Sequence, residues 1–80
     1  MPVEIISQYT ASLIRTNAIT KIPKAIETLY ESKTPVEIII KSFKKYQIPI
    51  HKLITKELID RFSTIKRGLW LIEFTNAYRK

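Results

Sequence analysis

Eighty residues with no cysteine make one small domain, without disulfides or thiolate metal sites to hold it together. The single histidine, His51, is too little for a histidine-built metal site, so stability rests on apolar packing, with a second subunit as the natural supplement. Fourteen basic residues against seven acidic ones leave a formal charge of +7, which favours a polyanion as partner: nucleic acid, an anionic surface or an acidic protein.

Further boundaries follow from the pattern. The absence of cysteine fits a reducing compartment, and a cytoplasmic location is expected. Apolar runs are only a few residues long, so no membrane span is expected. The N-terminal MPVEIISQYT begins with Pro2 and Glu4 instead of a basic segment, which does not read as a secretion signal. Isoleucine is abundant and alanine scarce, which predicts a bulky aliphatic core.

Val3, Ile6, Tyr9 or Thr10, and Leu13 recur at helical spacing, with Ile14 alongside, and predict a first helix over about 3–16. Pro2 suits its first turn, Glu4 complements its dipole, and Asn17 is a left-handed stop. Thr20 is a candidate N-cap for a second helix over about 21–32, with Pro23 in the first turn. Ile22, Ala25, Ile26, Leu29 and Tyr30 form its apolar stripe, opposite Lys24, Glu27 and Glu31.

A third helix over about 35–46 has the clearest start. Thr34 and Glu37 have capping-box spacing, and Pro35 suits the first helical position. Val36, Ile39, Ile40 and Phe43 line its apolar side, while Lys41, Lys44 and Lys45 share another face. Tyr46–Pro49 breaks the period. It resumes through Ile50, Leu53, Ile54, Leu58, Phe62 (or Arg61) and Ile65, predicting a fourth helix over about 50–67, with an earlier end near Phe62 as the alternative. Lys66 and Arg67 fit its last turn, and Gly68, the only glycine, fits a left-handed residue just past it.

The remaining LWLIEFTNAYRK reads two ways. As a short helix it groups Trp70, Phe74 and Ala77; as a strand it pairs with residues 62–65 in a wing-like hairpin. The helix takes precedence, because basic residues before Gly68 suit a C-cap better than a hairpin turn. The expected fold is therefore all-α: four helices with a short fifth one, or a small hairpin, at the C-terminus.

Between Ile38 and Lys56 stand five lysines and no acidic residue. Lys41, Lys44, Lys45 and Tyr46 end one helix, and His51, Lys52, Thr55 and Lys56 begin the next. If the two helices pack by their apolar stripes, these groups converge on the Tyr46–Pro49 turn. Phosphate would there meet positive charge and the free amides of a helix start. Tyr46 could stack on an exposed base, and His51, Lys52, Thr55 and Lys56 would face a DNA groove in a helix-turn-helix arrangement. Against base reading, the turn holds no glycine, the third helix is crowded with isoleucine, and lysine reads base edges poorly.

Catalysis finds no support. The carboxylates are dispersed, Glu57 and Arg61 have the spacing of a surface ion pair, His51 lacks an orienting carboxylate, and no glycine-rich phosphate loop exists. The sequence thus predicts a non-enzymatic protein without cofactor or metal that binds nucleic acid, DNA ahead of RNA, as a homodimer with a role in transcription regulation. The alternative is a helical interaction module of adaptor, inhibitor or immunity type for an acidic partner. Ile38, Ile40, Ile48 and Ile59 look surplus to one core and would serve either kind of contact.

Overall fold

The computed structural model of the chain describes residues 3–80, and all regular structure in that range is helical. Six α-helices follow one another: α1 (Val3–Arg15), α2 (Ile22–Glu31), α3 (Val36–Lys45), α4 (Ile50–Leu53), α5 (Lys56–Arg61) and α6 (Ile65–Tyr78). A single 3-10 turn, Ile19–Lys21, leads into α2. α3 lies between α1 and α6, while α2 packs on α1 and α5. No helix among the described residues is long and apolar enough to cross a membrane. The expected place of Pro2 in the first turn lies outside the described residues.

The first three helices lie where the apolar periodicity puts them. Their ends are made by left-handed residues other than glycine: Asn17 at φ 61, Lys33 at φ 57 and Gln47 at φ 55. After α1, Ala18 N–H donates to Leu13 O at 2.8 Å and Asn17 N–H to Ile14 O at 3.2 Å. After α3, Ile48 N–H donates to Phe43 O and Gln47 N–H to Lys44 O, both at 3.1 Å. Both are Schellman stops, which satisfy the last carbonyls of the helix and fold the next apolar residue back onto it. The break at Tyr46–Pro49 is thus a defined backbone device that works without glycine.

Two expected starts are made differently. Thr34 does not cap α3: its hydroxyl pairs with that of Ser32 at 2.7 Å, and Pro35 is the N-cap, with φ −58 and ψ 139. The helix therefore begins one residue later, and Glu37 falls too early to close a capping box. Thr20 lies inside the 3-10 turn, and Lys21 precedes α2 without a side-chain cap. Pro23 does occupy the first turn of α2.

The larger correction concerns the expected fourth helix. Residues 50–67 form no continuous helix but α4, α5 and the first residues of α6. Threonine decides both breaks. The Thr55 hydroxyl accepts from Leu58 N–H at 3.2 Å and starts α5; the Thr64 hydroxyl accepts from Arg67 N–H at 3.4 Å and starts α6. A threonine oxygen offered to a free amide competes with helix continuation, and at both sites the cap wins. α6 then runs as a full helix of fourteen residues, so the C-terminal segment is helical throughout, with no hairpin.

Gly68 is no terminator. It sits in the second turn of α6, and its N–H donates to Thr64 O at 2.7 Å. A Cβ there would meet only Phe62 O, at an ordinary 3.5 Å. Gly68→Ala is therefore expected to raise stability by about 0.5–1 kcal/mol, read from urea unfolding. Destabilisation by that variant would restore the left-handed role that the sequence suggests for this glycine.

The core is aliphatic on the α1–α3 side and aromatic along α6. Ile22, Ile26, Leu29, Ile39, Phe43, Leu53, Leu58 and Phe74 are fully buried. Phe74 lies parallel to Trp70 at 5.4 Å and meets Phe43 edge-on at 6.1 Å. Trp70 continues to Phe62 at 5.5 Å and Tyr30 at 5.4 Å, so one row of rings ties α6 to α2, α3 and the end of α5. Two polar residues of α1, Ser7 and Thr10, are buried too. Thr10 donates to Ile6 O, Ser7 to Val3 O, and Ser42 to the Ser7 hydroxyl at 2.7 Å. Small residues on both helices let α1 and α3 meet at that last hydrogen bond. Ile40 and Ile48 belong to the core, whereas Ile38 and Ile59 are about half exposed.

Candidate nucleic-acid interface

Lys41, Lys44 and Lys45 are exposed on the outer side of α3, as their spacing predicts. They do not act as one group. Lys45 turns to α1, where its ammonium donates to Glu4 Oε1 at 2.8 Å. The Tyr46 hydroxyl donates to the same oxygen at 2.9 Å and accepts from Gln8 Nε2 at 2.9 Å. The hydrogen bond from Lys45, and then that from Tyr46, hold the Glu4 carboxyl below its usual range; Glu4 in turn holds Lys45 above its own. Both partners are at the surface, so the pair adds little stability, but it occupies Lys45 and Tyr46.

Lys44 turns the other way. Its Nζ donates to the backbone oxygen of Lys80 at 3.2 Å and lies 5.8 Å from the centre of the Tyr78 ring. Tyr78 in turn donates its hydroxyl to Ile48 O, tying the end of α6 to the turn after α3. On the other side of that turn, Arg15 lines a shallow cleft with Tyr46, Gln47, Ile48 and Pro49. Three helix ends thus meet at Tyr46–Pro49. Around it stand Arg15, Lys44, Arg79 and Lys80, with His51 and Lys52 on α4, all exposed.

The remaining expected residues are placed elsewhere. Thr55 is half-buried, with its hydroxyl used as the cap of α5. Lys56 opens α5, which packs against α2. α4 has four residues, about 6 Å of helix, too short to lie in a groove as a recognition helix or to project an appreciable dipole onto phosphate.

The corner's charge is uncompensated. Among the described residues, carboxylates bridge only Lys45, Arg61 and Arg67. The carboxylate that reaches the turn, Glu4, is already held by Lys45 and Tyr46. Arg15, Arg79 and Lys80, which the sequence did not place at this turn, stand beside the expected lysines. The Arg79-Lys80 pair is visible as charge, but only the Tyr78–Ile48 and Lys44–Lys80 contacts bring it to the turn.

A second charged cluster is structural. Glu27 accepts from Arg61 Nη1 at 2.6 Å and from Arg67 Nη1 at 3.0 Å, joining α2 to α5 and α6. Arg61 takes this partner in place of the expected Glu57. The Arg67 guanidinium also lies over the rings of Tyr30 and Phe62, at 5.3 and 5.5 Å. The hydrogen bonds from Arg61 and then Arg67 hold the Glu27 carboxyl below its usual range. A lowered folded value gives stability that is complete above the ordinary carboxylate value of 4.5 and is lost as pH falls through the lowered one. Glu27→Gln is expected to cost about 1.5 kcal/mol at neutral pH and to flatten this acid-side loss in melts taken from pH 7 downward. Equal acid sensitivity in both proteins would remove Glu27 from that role.

No group of three or more metal-ligating carboxylate or imidazole side chains is found among the described residues. Comparison with known proteins adds no analogy to this geometry: no family model, no curated protein and no solved structure matches the chain.

Proposed function

We propose that this chain is a non-enzymatic, cytoplasmic nucleic-acid-binding protein that holds phosphates at the corner around Tyr46–Pro49 and acts as a homodimer. The observation that carries it is the exposure of Arg15, Lys44, Lys52, Arg79 and Lys80 around that turn, with Lys41 one turn back along α3 and no side-chain carboxylate bridging any of them. Exposed cations that no side-chain carboxylate holds displace the condensed counterions of a phosphate backbone, which is the main source of sequence-independent affinity. Base reading has little support here, since α4 is too short to enter a groove. A role in transcription would then be to coat or bend DNA, with DNA preferred to RNA. The test is fluorescence anisotropy of a labelled duplex across salt. About five phosphate contacts predict a slope near −4.5 in log K against log salt, and a loss of about 10²–10³-fold between about 50 and 200 mM. No binding at the low-salt end would overturn the proposal.

A second reading has its own observation. α1 and α2 border an open groove of about 620 Å³, with Ile5, Ile6, Tyr9 and Ala25 as apolar lining and Lys21 and Lys24 among its polar residues. Ile5 and Tyr9 are half exposed. This arrangement suits an acidic amphipathic helix of a protein partner. Binding that is lost on Tyr9→Ala but unchanged by reversing the α3 lysines would favour it.

A further inference from the structure

The three most exposed large apolar side chains among the described residues lie together on α6. Ile65 is 85% exposed, Leu69 64% and Ile72 59%. Their i, i+4, i+7 spacing puts them on one stripe, which continues through exposed Asn76. The opposite side of the same helix carries Trp70, Phe74 and Tyr78 into the core. α6 is therefore apolar on two faces, and only one is covered.

We infer that this outer stripe is the homodimer interface, with α6 of two copies packed antiparallel about a two-fold axis at Leu69. The inference gives the dimer proposed above a surface, but it stands on α6 alone. Charge pattern selects the occupant and its direction. Lys66 and Glu73 flank the stripe on the same side, three residues before and four residues after Leu69. Two-fold symmetry in an antiparallel pair brings the same flank of both helices together. Lys66 then faces Glu73 of the partner copy, and Glu73 faces its Lys66, while Ile65 packs beside the partner's Ile72 and Leu69 meets its own copy. A parallel pair would set each Lys66 level with the other Lys66, against a flank that carries Gly68 and Thr75 and no acid. A self-complementary stripe of this kind is what an isologous interface requires.

The arrangement also has a consequence for the corner. Lys80 lies eleven residues beyond Leu69, whereas the partner helix begins only four residues from the axis, so Arg79 and Lys80 project past the contact. At 1.5 Å per residue the two corners stand about 33 Å apart along the helix pair, close to one turn of duplex DNA.

A contact made by one helix per subunit is small, so a dissociation constant in the micromolar range is expected. Sedimentation equilibrium of the full chain, over about 1–500 μM, tests this. The wild type should dimerise reversibly, and Leu69→Glu should be monomeric with unchanged helical circular dichroism. Lys66→Glu and Glu73→Lys should each weaken the dimer about tenfold, and the double variant should recover it, a rescue that a parallel pair or a different surface would not give. A carbodiimide should link Lys66 to Glu73 between copies. A monomeric wild type throughout the range, a dimeric Leu69→Glu, or a double variant without rescue would overturn the inference. Self-association and duplex binding are read separately: failure here with retained DNA binding would leave phosphate binding at the corner standing without the dimer, and the reverse outcome would leave this inference standing.

Discussion

Phe74→Ala is expected to remove about 3–5 kcal/mol of stability, the usual cost of emptying a fully buried phenylalanine site. Phe74 has no exposed surface and touches three rings at once: Trp70, Phe43 and Tyr78. Its loss leaves a cavity between α3 and α6 that small movements cannot fill, because Trp70 is also held by Phe62 and Tyr30. A domain of this length has a total stability on the order of 4–12 kcal/mol, so the variant loses about a quarter of it or more and, toward the lower end of that range, would be near or past its midpoint at physiological temperature. A fall in Tm on the order of 20 °C is the measurable outcome. A cost under about 1 kcal/mol would mean that α6 is not part of the cooperative core.

The second large effect concerns binding. Reversing Lys41, Lys44 and Lys52 to glutamate takes the formal charge from +7 to +1 and removes three of the six cations named there, while sparing the Lys45–Glu4 pair. Lys45 is left alone deliberately, since a glutamate there would face Glu4. Three lost contacts should make the salt slope shallower by about 2.7 and abolish measurable duplex binding at about 150 mM salt. Reversal of Lys21, Lys24 and Lys33, toward the α2 side, removes equal charge. If both triples weaken binding equally, net charge alone attracts the duplex and the corner has no special part. Stability should change little in either triple, because all six side chains are exposed.

How far the sequence was legible follows from where local signals agreed. α1, α2 and α3 each present one apolar stripe, and Asn17 and the Tyr46–Pro49 segment mark real stops. The stretch after Pro49 offered a continuous apolar period, and that period is genuine: Leu53, Leu58 and Phe62 are all buried. What the period could not show was that Thr55 and Thr64 would each take an amide for a cap, since an isolated threonine is as common inside a helix as at its start. Gly68 misled because a lone glycine reads as punctuation, yet here the helix passes through it. α6 was ambiguous for a physical reason: residues apolar on both faces erase the single stripe by which a helix is recognised.

For the candidate site, the outer face of α3 was readable, because three lysines at helical spacing share a side. The direction in which each points was not. Glu4 lies 41 residues before Lys45, and Lys80 lies 36 residues after Lys44. Contacts of that separation leave no mark in a local pattern. The same holds for Glu27, whose two arginines lie 34 and 40 residues away.

The row of rings along α6 also sets an order in time. Tyr30, Phe43 and Phe62 are made early in synthesis, but the Trp70 and Phe74 rings that cover them come from the last quarter of the chain. Until those residues leave the ribosome, α2, α3 and α5 hold an open aromatic seam and Glu27 lacks Arg67. Tyr78, which fastens the helix end to Ile48, comes later still, with Arg79 and Lys80 directly after it. Arg79 and Lys80 therefore reach the turn only after the Trp70 and Phe74 rings that close the core have been made.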